Sequence, residues 1–242
     1  ALVLVAAFCV LSSRSERPLV RIRIFTDRTY ALSVTYVVLI QAIVLALGYL
    51  IPYYAQVSAS MGSFAAGCLL LPGCILGACL TPFGGRVLDL LGPARPILVG
   101  AACGVLAMAL FAAVGVTVPA AWLALIYVIM PICQGLSVSN SMTNGLRGLP
   151  DRLQADGNAA FNTIQQLGGA VGTAVATTVV NAAQSADPDD LVAATRAGTR
   201  TGFVVLLALS VIALAAAVSV FVGRRPAAGG GAGAGGGAGA GG

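Results

Sequence analysis

The chain has 242 residues, of which 58% are hydrophobic and only 9% charged, and its formal net charge of +5 is carried by Arg alone among the basic residues. A soluble domain is about 25% charged, so this composition excludes a solvated fold. The lack of any folded basic face excludes nucleic acid as a partner. There is no His, which removes Ser–His and Cys–His catalytic pairs, most zinc chemistry and His-based proton relays.

Residues 1–13 begin with an apolar run, Ala1 to Leu11, shorter than the roughly 20 residues a membrane-crossing helix needs. Its Arg residues follow rather than precede it, the reverse of a signal peptide. It reads as the end of a truncated transmembrane helix. Residues 14–29 are an Arg-rich loop carrying Arg14, Arg17, Arg21, Arg23 and Arg28.

Six apolar spans are then predicted within residues 30–222: Tyr30–Tyr54, Phe64–Phe83, Ile97–Val118, Ala121–Met142, Asn158–Asn181 and Thr201–Val222. Backbone polar groups inside a bilayer must bond internally, which leaves helices or a closed barrel. Barrel strands alternate polar and apolar residues; these spans are apolar on nearly every side, so the expected fold class is all-α. That is a six-transmembrane-helix bundle preceded by a truncated helix. Residues 223–242 form a Gly/Ala-rich tail, too small in side chain to build a core and expected to be flexible.

Arg placement sets the orientation. With residues 14–29 on the cytoplasmic side, Arg86, Arg95, Arg147, Arg152, Arg224 and Arg225 join them there, and only Arg196 and Arg200 lie opposite. The C-terminus is therefore expected in the cytoplasm. All eight acids fall in loops or at span ends, and the six Cys residues sit in apolar segments without C-x-x-C spacing. Neither pattern predicts a metal or a cofactor, and buried Cys behaves as a small hydrophobe.

The turn expected after the second span contains G-x-x-x-D-x-x-G from Gly85 to Gly92, followed by Arg95. Glycines let neighbouring helices approach, and Asp89 precedes a span whose first N–H groups it can accept. Arg86 lies three residues before Asp89 and can pair with it. The plain alternative is an ordinary charged turn with a proline stop.

This run resembles the loop signature of the major facilitator superfamily. Leu50 to Gln56 (LIPYYAQ), Met61 to Gly73 and Gln165 to Gly172 are similar to the fourteen-helix drug:proton antiporters of that superfamily. The resemblance implies the C-terminal half of a multidrug efflux antiporter in the cell membrane, working by alternating access. Its partners would be the N-terminal half of the same transporter, the lipid bilayer, protons and a small hydrophobic or cationic substrate. The coupling acid would lie in the other half. Gly85, Arg86, Asp89, Gly92 and Arg95 would form a conformational latch. A facilitator-type importer or exporter of one nutrient or metabolite is the alternative.

Polar stripes on the spans supply the candidate cavity. Tyr30, Gln41, Gly48, Pro52 and Gln56 share a face of the first span, with Tyr49 at its edge; Gln134, Ser137, Ser141 and Asn144 share one on the fourth. Asn158, Asn162, Gln165, Gln166, Gly169, Thr173 and Thr177 form the longest stripe, on the fifth. Such groups face protein or water rather than lipid. They read either as a substrate wall or as bonds between helices. The cavity candidates are Gln41, Tyr49, Tyr53, Gln134, Ser137, Asn162 and Gln166. The G-x-x-x-G pairs Gly73–Gly77, Gly100–Gly104 and Gly168–Gly172 are expected at helix–helix contacts.

Overall fold

The computed structural model describes residues 22–92 and 94–222, and every regular element among them is helical. Residues 1–13, expected to be the end of a truncated helix, residues 14–21 of the expected Arg-rich loop and residues 223–242, expected to be a tail, lie outside the described residues.

A 3-10 turn, Ile22–Thr26, leads into α1 (Arg28–Ser58). Asp27 starts the helix: its Oδ1 accepts the Tyr30 N–H at 2.7 Å and satisfies one of the free donors of the first turn. The helix continues through Pro52 and ends where the Ala59 and Met61 N–H groups both reach the Ala55 carbonyl. Ser60, in the turn beyond, takes a left-handed φ of 51°.

The second expected span is two helices, α2 (Ser63–Cys68) and α3 (Leu71–Leu91). Leu69 and Leu70 donate three residues back rather than four, and Pro72 has no N–H to resume the ladder. α3 then runs eight residues beyond the expected end at Phe83, so residues 84–91 of the presumed turn are helical. The chain reverses at Gly92, whose φ of +71° suits a residue without Cβ.

After α4 (Ala94–Val114) comes one interrupted rod: α5 (Ala120–Tyr127), α6 (Ile129–Cys133), a π turn (Gln134–Val138) and α7 (Ser139–Arg147). Pro131 explains the first break, since it leaves the Tyr127 carbonyl without its usual donor. The Ser137 hydroxyl and Asn140 amide turn back onto the Cys133 and Leu136 carbonyls and compete with the regular ladder at the second. α8 (Asp151–Ala186) and α9 (Leu191–Val222) complete the bundle.

Among the described residues, five stretches are long and apolar enough to cross a membrane: Arg28–Ser58, Ser63–Leu80, Ala94–Val114, Ala120–Arg147 and Leu191–Val222. α8 is not among them, because its polar stripe dilutes its hydropathy. Its contacts nevertheless carry it across whatever depth α1 spans. Tyr30 bonds the Gly157 carbonyl, Val38 packs on Gly168, Ala42 on Gly172, and Tyr53 bonds Gln184. The numbers rise together, so α8 runs parallel to α1 from Tyr30 to Tyr53, about 35 Å at 1.5 Å per residue. That exceeds the ~30 Å hydrocarbon core.

The same reading orients the other rods. Gly100 meets Ser137 and Gly104 meets Cys133, so α4 opposes α6 and the π turn. Gly73 meets Tyr127 and Gly77 meets Pro131, so α3 runs parallel to α5 and α6. Val180 meets Gly198 and Gln184 meets Thr195, so α9 opposes α8. The six rods therefore alternate in direction, as a multi-pass membrane bundle requires. All three G-x-x-x-G pairs sit at helix contacts. Backbone closeness there gives the dispersion contacts that hold membrane helices together when no water is available to drive them.

α1 is the centre. Ile40, Ile43, Leu47, Leu50 and Ile51 are buried. Around it, α6 and α7 meet Tyr36 and Ser33, α8 meets Val38 and Ala42, and α9 meets Leu50. Helical spacing puts Gln41, Leu45, Gly48 and Pro52 on the remaining arc, between the α7 and α8 sides. That arc is open: Leu45 is exposed, and a Cβ on Gly48 would meet nothing within 4 Å.

Candidate functional site

The open arc of α1 carries one polar cluster. Gln165 of α8 donates from Nε2 to Gln41 Oε1 at 3.1 Å, near the middle of both helices. Gly169, one turn on, lies against Leu45 and Gln41. The flank of α8 with Asn162, Gln166 and Thr173 therefore continues the arc. Asn162 and Gln166 are exposed there, Asn162 bonding back to the Asn158 carbonyl at 2.9 Å.

Farther along α1, the rings of Tyr49 and Tyr53 stack with centroids 5.2 Å apart. Their roles divide. The Tyr53 hydroxyl is held by Gln184 at 2.9 Å, and Gln184 in turn reaches the buried Thr195 hydroxyl at 2.7 Å. Tyr53 thereby ties α1, α8 and α9 together. Tyr49 is half-buried, with one face against Tyr53. Gln184 and Thr195 escaped the sequence reading because they lie beyond the predicted span ends, in turns that looked like loop.

A second cluster surrounds the π turn. Ser137 was expected in the cavity; it is fully buried instead, accepting a 2.5 Å hydrogen bond from the Tyr36 hydroxyl while its own hydroxyl bonds the Cys133 carbonyl. Gly100 and Gly104 of α4 close over it, leaving no room for a Cβ. The wider π turn, Gln134–Val138, rotates the residues within and beyond it relative to an α-helix. Gln134 no longer shares a face with Ser141 and Asn144, which are buried with Asn140 in the bundle. Tyr36 had no signal in the sequence beyond being an aromatic residue in an apolar run. Tyr36→Phe, which deletes one buried hydroxyl bond, is expected to cost about 1–2 kcal/mol, read as a lowered melting temperature of the detergent-purified protein.

Gln134 faces the other way, into a groove of about 390 Å³ between α3 and the α5–α7 rod. Gly73, Cys74 and Gly77 form one wall; Tyr127, Pro131, Gly135 and Ser139 contribute to the other. Glycine is required on the α3 side, since a Cβ at Gly73 would stand 2.6 Å from the Tyr127 ring. The Gln134 amide is half-buried and bonds no described residue. It sits near the midpoint of the Ala120–Arg147 stretch, where an unpaired amide facing hydrocarbon is costly.

Of the latch candidates, Gly85, Arg86 and Asp89 lie in the final turns of α3, and their side chains are outside the described residues. Gly92 makes the reversal and Arg95 is exposed at the start of α4. No cluster of His, Cys, Asp or Glu fit to hold a metal occurs among the described residues.

The family model described as Major Facilitator Superfamily matches residues 4–173. The lincomycin resistance protein LmrB of Listeria monocytogenes is 33% identical over 207 residues, which cover 82% of this chain and 44% of that protein. LmrB of Bacillus subtilis is 30% identical over 216 residues, 86% of this chain and 45% of that protein. The putative multidrug resistance protein MdtD of Pectobacterium carotovorum is 23% identical over 175 residues, 72% of this chain and 38% of its own length. The chain thus spans less than half the length of these curated relatives.

Proposed function

The chain belongs to the Major Facilitator Superfamily, and from that premise we propose that it is the C-terminal half of a proton-coupled exporter of hydrophobic or cationic drug-like compounds. Two of its relatives are named for lincomycin resistance, which supports a drug-like substrate over a nutrient. The observation that carries the reading is Gln134: a free amide at mid-depth in a groove with one aromatic wall. Transporters of this architecture bind near the bilayer midplane, between the two halves that rock about the site. An unpaired amide there is a hydrogen-bonding group held ready for a guest.

The open arc of α1 extends the same wall. Gln41 with Gln165, the Tyr49 ring, and the exposed amides of Asn162 and Gln166 would line it opposite the N-terminal half. An aromatic face and neutral amides suit a bulky cation, which needs a π surface and no competing positive charge. The acids of α1 and α4–α9 lie at helix ends or in loops, at Asp27, Asp151, Asp156, Asp187, Asp189 and Asp190. Proton coupling is accordingly assigned to the partner half. The reading gives the protein no enzymatic role.

In this arrangement Gly85, Arg86, Asp89, Gly92 and Arg95 form the latch. The helical extension of α3 beyond the membrane would carry Arg86 and Asp89 toward the facing half in one access state. The side with those residues is assigned to the cytoplasm, with the C-terminus, by the Arg distribution; the membrane is the cell membrane.

The test is dye accumulation in pump-deficient cells expressing the transporter formed by this half and its N-terminal partner. Lowered dye content, restored by a protonophore, is the expected result. Unchanged accumulation of several cationic dyes, or accumulation raised above that of cells without the transporter, would remove the export reading. Export insensitive to the protonophore would remove its proton coupling.

A further inference from the structure

The groove between α3 and the α5–α7 rod carries a second polar group besides Gln134. Tyr127, Pro131, Gln134, Gly135 and Val138 line it from the rod, at the spacing of one helical face. Tyr127 and Gln134 are therefore two turns apart, about 10 Å along the axis. Tyr127 is only 7% exposed, yet its hydroxyl hydrogen-bonds no described residue. Its ring is fixed from the α3 side: a Cβ on Gly73 would stand 2.6 Å from Cδ1 and 2.8 Å from Cε1. The hydroxyl is thus held in place rather than free to seek a partner elsewhere, the kind of ordering that lowers the cost of binding.

The groove is also without charge. No ionisable acid or base occurs on the rod from Ala120 to Leu146, and on α3 the first beyond Ala78 is Arg86, about 12 Å farther along the helix. A cation entering would lose its hydration and meet no carboxylate of this half in return. A neutral group that both donates and accepts would exchange its bonds to water for bonds to Gln134 and Tyr127. The volume of about 390 Å³ is within the range of small-molecule sites.

We propose that the groove is the subsite for a neutral hydrogen-bonding group of the substrate, a carboxamide or hydroxyl, held by the Gln134 amide and the Tyr127 hydroxyl. The proposal rests on the export reading above and divides its substrate between two surfaces. An aromatic or cationic body stays with Tyr49 on the open arc of α1, and the neutral polar branch enters the groove. A carboxamide there accepts from Gln134 Nε2 while donating to Oε1, and Tyr127 supplies a further hydroxyl.

Two thiols of α3 report on the site separately. Cys74 and Cys79 are both exposed, and only Cys74 lines the groove. The purified, assembled transporter would be alkylated with N-ethylmaleimide, and modification of each cysteine followed by peptide mass spectrometry. The reaction is run with chloramphenicol, a neutral compound bearing an amide and hydroxyls, and separately with tetraphenylphosphonium, a cation without hydrogen-bonding groups. Chloramphenicol is expected to slow alkylation of Cys74 and leave Cys79 unchanged; tetraphenylphosphonium should protect neither. Half-maximal protection should need roughly tenfold more chloramphenicol in Gln134→Leu and on the order of fivefold more in Tyr127→Phe. Thr201→Val, on the exposed face of α9 and outside the groove, should need the wild-type amount. Thermal unfolding establishes that each variant is folded.

Equal slowing of Cys74 and Cys79, equal protection by the two compounds, or wild-type protection in either groove variant would overturn the subsite. Energised uptake of chloramphenicol into inverted vesicles separates this from the export reading. Uptake without protection of Cys74 overturns the subsite and leaves export standing. Protection without uptake upholds the subsite and removes export.

Discussion

Gly172→Ala is expected to lower the melting temperature of the detergent-purified protein by roughly 5–10 °C, the largest loss any single methyl group produces here. The added Cβ would overlap the Ala42 carbonyl group of α1, meeting its oxygen and, at 2.5 Å, both its carbon and Cα. These are backbone atoms at the middle of the central helix, so no side-chain rotamer can relieve the clash. α8 must retreat, and it retreats along its length. Gly168, already tight against the Val38 backbone, and the Gln41–Gln165 bond are on the same interface. Overpacking of this kind costs about 1–3 kcal/mol in a soluble core; the loss of neighbouring contacts pushes it to the upper end. Two controls share the chemistry and differ in surroundings. Gly169→Ala meets Leu45 and Gln41, whose ends can swing aside, and should fall between. Gly48→Ala meets nothing within 4 Å, replaces a poor helix former with the best one, and should melt at or slightly above wild type. A Gly172→Ala protein melting with wild type would mean that α8 is not held against α1 in the membrane-like state.

Those glycines were legible beforehand because their message is local: a four-residue spacing of missing side chains in an apolar run has one main use, close backbone approach. The alternation of spans was legible for a similar reason, since a bilayer sets helix length. What escaped depended on partners far along the chain. α8 was expected only at Asn158–Asn181, and its extension to Asp151–Ala186 is fixed by distant partners, Tyr30 at Gly157 and Tyr53 at Gln184, rather than by its polar-diluted hydropathy. The π turn is set by Pro131, by hydroxyl and amide groups bonding backward, and by the Tyr36 hydroxyl from a helix about one hundred residues earlier. A spacing argument assumes a constant 100° per residue, and one wide turn was enough to separate Gln134 from Ser137. The stretch from Gly85 to Gly92 departs from expectation in its backbone alone, being helical to Leu91 where a turn was expected. Its glycines looked like a turn, yet only Gly92 takes a positive φ, and Gly85 stays in the helix.

The separation of Gln134 from Ser137 makes a prediction with opposite signs in two measurements. Gln134→Leu removes an amide that no described residue pairs with and puts a hydrocarbon in its place. Stability should hold or rise, because an unsatisfied amide in a membrane bundle is a cost. Export should fall. A hydrogen bond from substrate to a buried amide is worth about 1–3 kcal/mol when its absence leaves a polar group bare, so half-saturation for a hydrogen-bonding substrate should shift upward by roughly tenfold or more. Ser137→Ala should do the reverse. It strips the Tyr36 hydroxyl of its acceptor inside the bundle, so the melting temperature should drop while half-saturation measured below that temperature stays at the wild-type value. Both quantities are accessible with the assembled transporter, by energised uptake into inverted vesicles and by thermal unfolding in detergent. If Gln134→Leu transports with wild-type half-saturation, the groove between α3 and the α5–α7 rod is a packing seam rather than a substrate contact. If Ser137→Ala shifts half-saturation without loss of stability, the π turn itself, rather than the amide it exposes, contacts the substrate.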